Sequence, residues 1–339
     1  MSDLKQYLID EFVEDYEAGQ LTRREALKRL AALTGSVVLA NSILAACTPA
    51  AEPTPTTVPP TAIPPTAVPP VVTAAATATT TRPTAESPTT AAPTAAAEAT
   101  EGVSVSMDDP AIVAAMVEFP GQGATLKGYQ ARPKGNEAVP IVLVCHENRG
   151  LVAHIQDVTR RLAKAGYAAL AVDLLSRQSG TDKVDAAQVP GILGNTPPEQ
   201  FVQDFRSGLS YMQGQPNVRK DRAGMVGFCF GGGVTWRCAT KIAELAAAVP
   251  FYGPNPPLED VPNIQAAVLA IYGELDQRID AGIPAIEEAM KTNNKVFEKI
   301  IYPNAGHAFH NDTGPNYRAE AARDAWSKML AWFEKYLKA

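Results

Sequence analysis

Five runs of strand length, each continuously apolar, constrain the fold of this chain more than any other feature. They occupy residues 140–145, 168–172, 224–227, 246–251 and 266–272. Segments with helical spacing lie between and after them, at residues 155–165, 198–212, 233–245, 281–291 and 318–337. Continuous apolarity is typical of parallel strands that are covered on both faces. This order predicts an α/β fold with a mostly parallel central sheet and helices on both faces.

Two further segments extend the predicted sheet. The sequence before Pro133, including residues 124–129, alternates apolar and polar side chains and predicts an antiparallel N-terminal edge. Residues 296–302 predict a last strand. In an open parallel sheet the active site lies beyond the carboxyl ends of the strands, so we expect chemistry at that edge.

The composition divides the chain into parts. Residues 47–101 consist almost entirely of Pro, Thr, Ala and Val and contain no aromatic residue. Such a segment cannot bury enough apolar surface to offset its ordering entropy, so we expect a disordered spacer. Residues 102–339 then form the catalytic domain, a size typical of one α/β domain of roughly 200 to 250 residues. The net charge of −6 does not favour a nucleic-acid partner.

Residues 1–46 resemble a bacterial export signal. Arg23 and Arg24 form a twin-arginine pattern, and a mildly apolar run at 30–46 leads to Leu-Ala-Ala-Cys, which resembles a lipobox ending at Cys47. The run is too short and too polar for a membrane span. The resemblance implies cleavage before Cys47, lipidation of its sulfur and an extracytoplasmic protein anchored to the cell membrane. The alternative is an amphipathic helix at residues 3–32 that precedes an uncleaved anchor.

The cysteines do not form a recognisable cluster. If Cys47 carries lipid, then Cys145, Cys229 and Cys238 remain, and at least one thiol is free. The sequence contains no C-x-x-C motif and no His/Cys cluster. We therefore expect neither a thioredoxin-like site nor a structural zinc site.

The stretch GFCFGGG at residues 227–233 predicts a nucleophile elbow around Cys229. A strand that turns sharply into a helix needs small residues two before and two after the turning residue, and Gly227 and Gly231 stand at those places. The alternative is a buried cysteine in a glycine-rich turn.

A thiol nucleophile needs a base, and His307 is the best placed of the four histidines. In α/β hydrolases the chain order is nucleophile, acid, histidine, so His146 and His154 come too early. His307 follows a predicted strand and precedes the last helix. His310 lies on the same loop and is the second candidate, although a solvated, supporting role fits it better.

Asp276 is the predicted acid of the triad. It follows directly after the apolar run at 266–272, as the order of the elbow motif requires. Asp260 lies in a proline-rich loop, and Asp280 begins a predicted helix, where an N-cap role is the simpler explanation. Cys229, Asp276 and His307 together predict a catalytic triad.

These residues resemble the dienelactone hydrolases, the cysteine-dependent members of the α/β-hydrolase superfamily. The similarity is strongest at residues 144–150, 171–177, 227–233 and 305–309. It implies that Glu147 contacts the nucleophile and takes part in its activation. His146 and Glu147 do not begin a metalloprotease motif, because Gly150 stands where the second histidine would be.

The oxyanion hole is expected from two backbone N–H groups. One belongs to Phe230, which follows the nucleophile, and the resemblance places the other at Asn148. The N-terminus of the helix after Cys229 is expected to favour its thiolate. Neither a metal ion nor an organic cofactor is required.

One position departs from the family pattern. The type member binds the carboxylate of its substrate with arginines, one of them four residues after the catalytic histidine, where this chain has Asn311. Arg149 and Arg177 are alternative sources of positive charge. Residues 178–197 show little helical pattern and are expected to form a loop near the pocket that sets substrate preference.

The sequence thus predicts a lipid-anchored hydrolase that cleaves a small ester or lactone through a cysteine thioester. Two alternatives stay open. One is a non-catalytic cell-surface binding protein on the same fold, and the other is a broad-specificity esterase or acyl transferase.

Overall fold

The computed structural model describes residues 2–46 and 104–338. All of these residues belong to one compact unit. The predicted spacer at 47–101 and the predicted lipidation site Cys47 lie outside the described residues.

A single sheet of eight strands organises the catalytic domain. The strands in chain order are β1 (Ile112–Gly121), β2 (Ala124–Pro133), β3 (Val139–Cys145), β4 (Ala168–Asp173), β5 (Val218–Phe228), β6 (Leu245–Phe251), β7 (Ala267–Gly273) and β8 (Phe297–Tyr302). Their spatial order is β1-β2-β4-β3-β5-β6-β7-β8. The pairs of β2 with β1 and β4 are antiparallel, and the other pairs are parallel. This confirms the predicted mostly parallel sheet with an antiparallel N-terminal edge.

Ten α-helices surround or precede the sheet in the part of the chain that is described. They are α1 (Asp3–Glu17), α2 (Arg23–Thr34), α3 (Val37–Ala46), α4 (Ala153–Lys164), α5 (Val189–Asn195), α6 (Pro198–Gln213), α7 (Phe230–Lys241), α8 (Gln277–Asp280), α9 (Ile283–Thr292) and α10 (Ala319–Phe333). A π-helical turn, Glu334–Lys338, extends α10.

The helices cover both faces of the sheet, as predicted. Tyr129 of β2, which pairs with Ala171 of β4, lies under Arg160 of α4. The next residue of β4, Val172, packs against Gly208 of α6. Successive residues of a strand point to opposite faces, so α4 and α6 lie on opposite sides.

The N-terminal segment folds onto the catalytic domain. Ser2 and Thr22 cap α1 and α2, and the twin-arginine residues Arg23 and Arg24 form the first turn of α2. Eight hydrophobic side chains of these two helices are buried: Leu4, Tyr7, Leu8, Ile9, Phe12, Ala26, Leu30 and Leu33. Of the helices in the described ranges, none is long and apolar enough to cross a membrane.

Two local predictions are wrong. Residues 178–197 are not a plain loop, because they contain the 3₁₀ turn Thr181–Lys183 and α5. Helix α5 packs against α1 and α2 instead of lining the pocket. The helix predicted at 233–245 begins earlier, at Phe230, and ends at Lys241, because Leu245 already belongs to β6.

Candidate active site

Cys229 occupies the turn between β5 and α7. Its backbone has φ 59° and ψ −124°, a conformation that non-glycine residues rarely adopt. A side chain at Gly227 would collide with the carbonyl oxygen of Gly231, and one at Gly231 would collide with the carbonyl oxygen of His146. The glycines on each side of Cys229 are therefore required by the close approach of β3, β5 and α7. Cys229 does sit in an elbow.

The predicted acid and base lie next to each other. Asp276 follows the end of β7, and its Oδ2 lies 2.6 Å from Nδ1 of His307 in the loop after β8. Asp276 is buried, so the pair is shielded from water. Burial alone would lower the pKa of His307, but the Asp276 carboxylate, followed by the interaction with Cys229, outweighs it and raises that pKa well above its usual value. The Nδ1–Oδ2 contact leaves Nε2 of His307 facing the thiol side of the site.

Two side chains of α1, neither of them predicted from the sequence, contact Cys229. The Tyr7 hydroxyl lies 3.3 Å from Cys229 Sγ and 3.3 Å from His307 Nε2. Cys229 donates to Glu11 Oε1 at 3.4 Å, and Asn148 Nδ2 donates to the same oxygen at 2.9 Å. No local motif marks Tyr7 or Glu11, because their role depends on how α1 docks more than 200 residues away in the chain.

Glu147 lies in the site, where its negative charge helps to raise the pKa of Cys229, but among the described residues it makes no hydrogen bond to the thiol. Its Oε2 accepts a hydrogen bond from Asn311 Nδ2 at 2.7 Å. Its Oε1 is buried and has no hydrogen-bond partner in the structure. The carboxylate that contacts the Cys229 thiol is that of Glu11 instead. Asn311, which replaces the family arginine, thus orients Glu147.

We expected the helix N-terminus to favour the thiolate of Cys229, but with α1 in place the protonated thiol is favoured instead. Burial, followed by the negative charge of Glu11, raises the pKa of the thiol to about 11, although His307 opposes the shift. The thiol is therefore protonated at neutral pH in this arrangement. All three described cysteines are free and buried.

The remaining candidates have structural roles. His310 is not solvated: it is buried and stacks on Phe228 and Trp326. His154 pairs with Asp312 at 2.9 Å, away from the nucleophile. Burial lowers the pKa of His146, whose Nε2 accepts from the backbone of Leu174.

The alternative acids Asp260 and Asp280 and the two arginines have partners or positions that the structure shows. Asp280 is the last residue of α8 and is not an N-cap. Asp260 pairs with Lys241 at 2.7 Å. Arg177 pairs with Asp204 at 2.6 Å and does not line the catalytic cavity, whereas Arg149 does.

A cavity of about 710 Å³ opens onto the nucleophile. Glu147, Asn148, Cys229 and His307 line it from the catalytic domain, while Glu11 and Arg29 line it from α1 and α2. Asn148 lies in the loop after β3, and Phe230 opens α7, the positions that the predicted oxyanion hole needs. One wall of the cavity thus comes from residues 1–46.

Among the described residues, one group of side chains has ligand atoms close enough to share a metal ion. These are Glu11, Cys229 and His307, whose ligand atoms lie within 4.8 Å of one another. The same atoms belong to the predicted nucleophile and base, so a soft divalent cation bound there would compete with hydrolysis.

An elbow nucleophile with a histidine and a buried acid at the carboxyl edge of a mostly parallel sheet defines an α/β hydrolase. The model of the dienelactone hydrolase family matches residues 126–337. The chain belongs to that family, and it is a carboxylic ester hydrolase.

Individual relatives agree with this assignment. A protein of Methylorubrum extorquens assigned as a carboxymethylenebutenolidase is 35% identical over 246 residues, which cover 69% of this chain and 84% of that protein. One of Escherichia coli strain K12 is 35% identical, over 68% of this chain and 90% of the relative.

Solved structures share the fold. One assigned as a dienelactone hydrolase of Klebsiella pneumoniae is 32% identical with a TM-score of 0.63, and the match covers 67% of this chain and 100% of that one. An acylaminoacyl peptidase of Pyrococcus horikoshii is 16% identical with a TM-score of 0.57, over 67% of this chain and 42% of that chain, and shows the fold alone.

Proposed function

We propose that this chain hydrolyses a small ester or lactone through Cys229, with a thioester as the intermediate. The observation that carries the proposal is the position of the thiol. It lies at the elbow after β5, with Sγ and a ring nitrogen of His307 within 4.8 Å of each other, and Asp276 holds the other side of the ring.

The proposed reaction follows from these positions. His307 accepts the thiol proton, and Sγ attacks the substrate carbonyl carbon to form a tetrahedral intermediate. The backbone N–H groups of Phe230 and Asn148 stabilise the oxyanion. The bond to the leaving oxygen breaks as His307 returns the proton to it, which leaves a thioester on Cys229. Water then attacks the thioester with His307 as the base, and the carboxylic acid and the thiol are released.

A panel of p-nitrophenyl esters and small lactones tests the proposal on the intact chain. Cys229→Ala removes the nucleophile and is expected to lower kcat/KM by at least about a thousandfold, while thermal unfolding stays cooperative. Cys229→Ser is expected to be much slower than the natural protein, because a serine hydroxyl ionises less readily than a thiol.

Cys238→Ala is the matched control, since Cys238 is a free, buried thiol on the helix that follows Cys229. Full activity in Cys229→Ala would refute the mechanism. Absence of hydrolysis with every substrate, also after Tyr7 and Glu11 are both replaced by alanine, would favour a binding protein on this fold.

We also propose that the chain is exported and anchored through lipid on Cys47. The support for this proposal is the sequence pattern of Arg23, Arg24 and Cys47. Cleavage before Cys47 would also remove α1, α2 and α3 from the catalytic domain.

A further inference from the structure

Helix α1 brings two oxygen groups into the catalytic centre, and their chemistry matches the products of ester hydrolysis. The Tyr7 hydroxyl lies between the nucleophile and the base, 3.3 Å from both Cys229 Sγ and His307 Nε2. The Glu11 carboxylate accepts from Cys229 and from the side chain of Asn148. Hydrolysis of an ester yields one hydroxyl compound and one carboxylate.

The two positions correspond to the two products. The leaving oxygen takes its proton from His307, so a product alcohol lies beside Nε2, where the Tyr7 hydroxyl is. The product carboxylate forms at the carbon that was bonded to Sγ, so it lies beside Sγ and Asn148, where the Glu11 carboxylate is. We propose that α1 is a built-in product analogue, and that it keeps the hydrolase latent until it leaves the site. The inference rests on the function proposed above.

The distances exclude a substrate in the same place. A carbonyl carbon has to come within about 3 to 3.5 Å of Sγ to react. Oxygens of Tyr7 and Glu11 already lie at 3.3 and 3.4 Å from that atom, and Cys229 is only 3% exposed. Burial and the negative charge of Glu11 also raise the pKa of the thiol, which favours its protonated, unreactive form. Substrate therefore needs these two side chains to move.

Helix α1 packs closely against α5 and α7 of the catalytic domain. A side chain at Gly233 of α7 would come within 3.0 Å of Leu4, and one at Gly194 of α5 would come within 3.3 Å of Leu8. Both leucines are buried. Docking of α1 thus depends on small residues in α5 and α7.

Charged contacts hold the two ends of α1. Asp3 pairs with Arg237 at 2.5 Å, and Glu14 pairs with Arg278 at 2.9 Å. The Arg278 guanidinium also lies 4.6 Å from the centre of the Tyr7 ring. These pairs are partly exposed, so salt weakens them. The cut that the lipobox predicts would take the whole helix away.

The main test uses the intact chain with Tyr7→Ala and Glu11→Ala combined. Alanine keeps the helix propensity of α1 while it vacates the space at Sγ. Because turnover scales with the fraction of chains whose site is open, kcat/KM for p-nitrophenyl acetate is expected to rise by at least about tenfold. The matched control combines Gln6→Ala and Asp10→Ala on the same helix, because these exposed side chains hydrogen-bond to each other, and its activity is expected to match that of the natural protein. An unchanged or lower activity in the Tyr7 and Glu11 variant would overturn the proposal.

A second measurement does not depend on turnover. Iodoacetamide alkylation, followed by peptide mass spectrometry, is expected to be at least about tenfold faster at Cys229 in this variant, with Cys145 and Cys238 unchanged. An unchanged rate of alkylation at Cys229 would show that α1 does not occupy the site. Faster alkylation without hydrolysis of any ester would support the occupation and refute the hydrolase mechanism.

A third variant keeps the test decisive if the first one unfolds. Asp3→Ala with Glu14→Ala removes both ion pairs at the ends of α1 and leaves the buried contacts in place. We expect it to show higher activity than the natural protein and a weaker response to added salt, because the salt-sensitive contacts are gone. Equal activity and an equal salt response in the two proteins would overturn the proposal.

Discussion

His310 shows how a loop histidine becomes part of the core. Its ring stacks on Phe228 at 5.1 Å between centroids and on Trp326 at 5.9 Å, and its Nδ1 is buried without a partner. Burial, with the nearby His154 and Arg161, lowers the pKa of His310 to about 3. The side chain is therefore neutral at neutral pH.

This shift predicts a loss of stability in acid. Between pH values of about 6.5 and 3 the unfolded chain binds a proton at this histidine that the folded chain does not, so the free energy of unfolding falls as the pH falls. His310→Leu removes that contribution. Compared with this variant, the natural protein is expected to lose about 1 kcal/mol more per pH unit between pH 6 and 4. Urea unfolding at several pH values measures the difference, and parallel profiles would contradict the assignment.

At the scale of the elements, the elbow depends on the contact of β5 with α7. A side chain at Gly227 would meet the Gly231 backbone and the Thr235 side chain. Gly227→Ala is therefore expected to lower the free energy of unfolding by about 3 kcal/mol or more, because backbone has to shift. Gly306→Ala is the control, since no atom lies within 4 Å of the added carbon. Equal melting temperatures in the two variants would show that the elbow is not tightly packed.

Elements that depend on neighbouring residues were predicted from the sequence, and features that depend on distant residues were not. The strands and the elbow were predictable because their signals, a continuous apolar run and the spacing of glycines, lie within a few neighbouring residues. The hydrogen bond between Asn311 and Glu147 was not predictable, because it depends on which distant side chain reaches the carboxylate. Helix α5 was missed since its two glycines and its proline weaken any helical pattern.

At the scale of the whole molecule, the roles of Tyr7 and Glu11 could not be read from the sequence. Residues 1–46 match an export signal in pattern, and nothing local indicates that α1 docks at the carboxyl edge of the sheet. The fold class, the nucleophile and its partners come from short motifs, whereas this wall of the cavity comes from packing between distant segments.

The proposed anchor is tested by expressing the chain in a bacterium that exports twin-arginine lipoproteins. Cys47→Ala removes the sulfur that would carry the lipid, so the protein is expected to move from the membrane fraction to the soluble fraction or to remain unprocessed. Cys145→Ala, which changes a buried thiol of β3, serves as the control. Recovery of the natural protein in the cytoplasm with its first residues intact would refute the localisation.

Because α1 belongs to the same chain as the site it occupies, its binding is intramolecular. Its local concentration at Cys229 is fixed by the connecting residues and is typically of millimolar order for tethered segments, whatever the amount of protein. Dilution therefore does not empty the site in the intact chain. After a cut between residues 46 and 104, the same contacts become bimolecular, and the occupancy of the site by α1 falls as the protein is diluted.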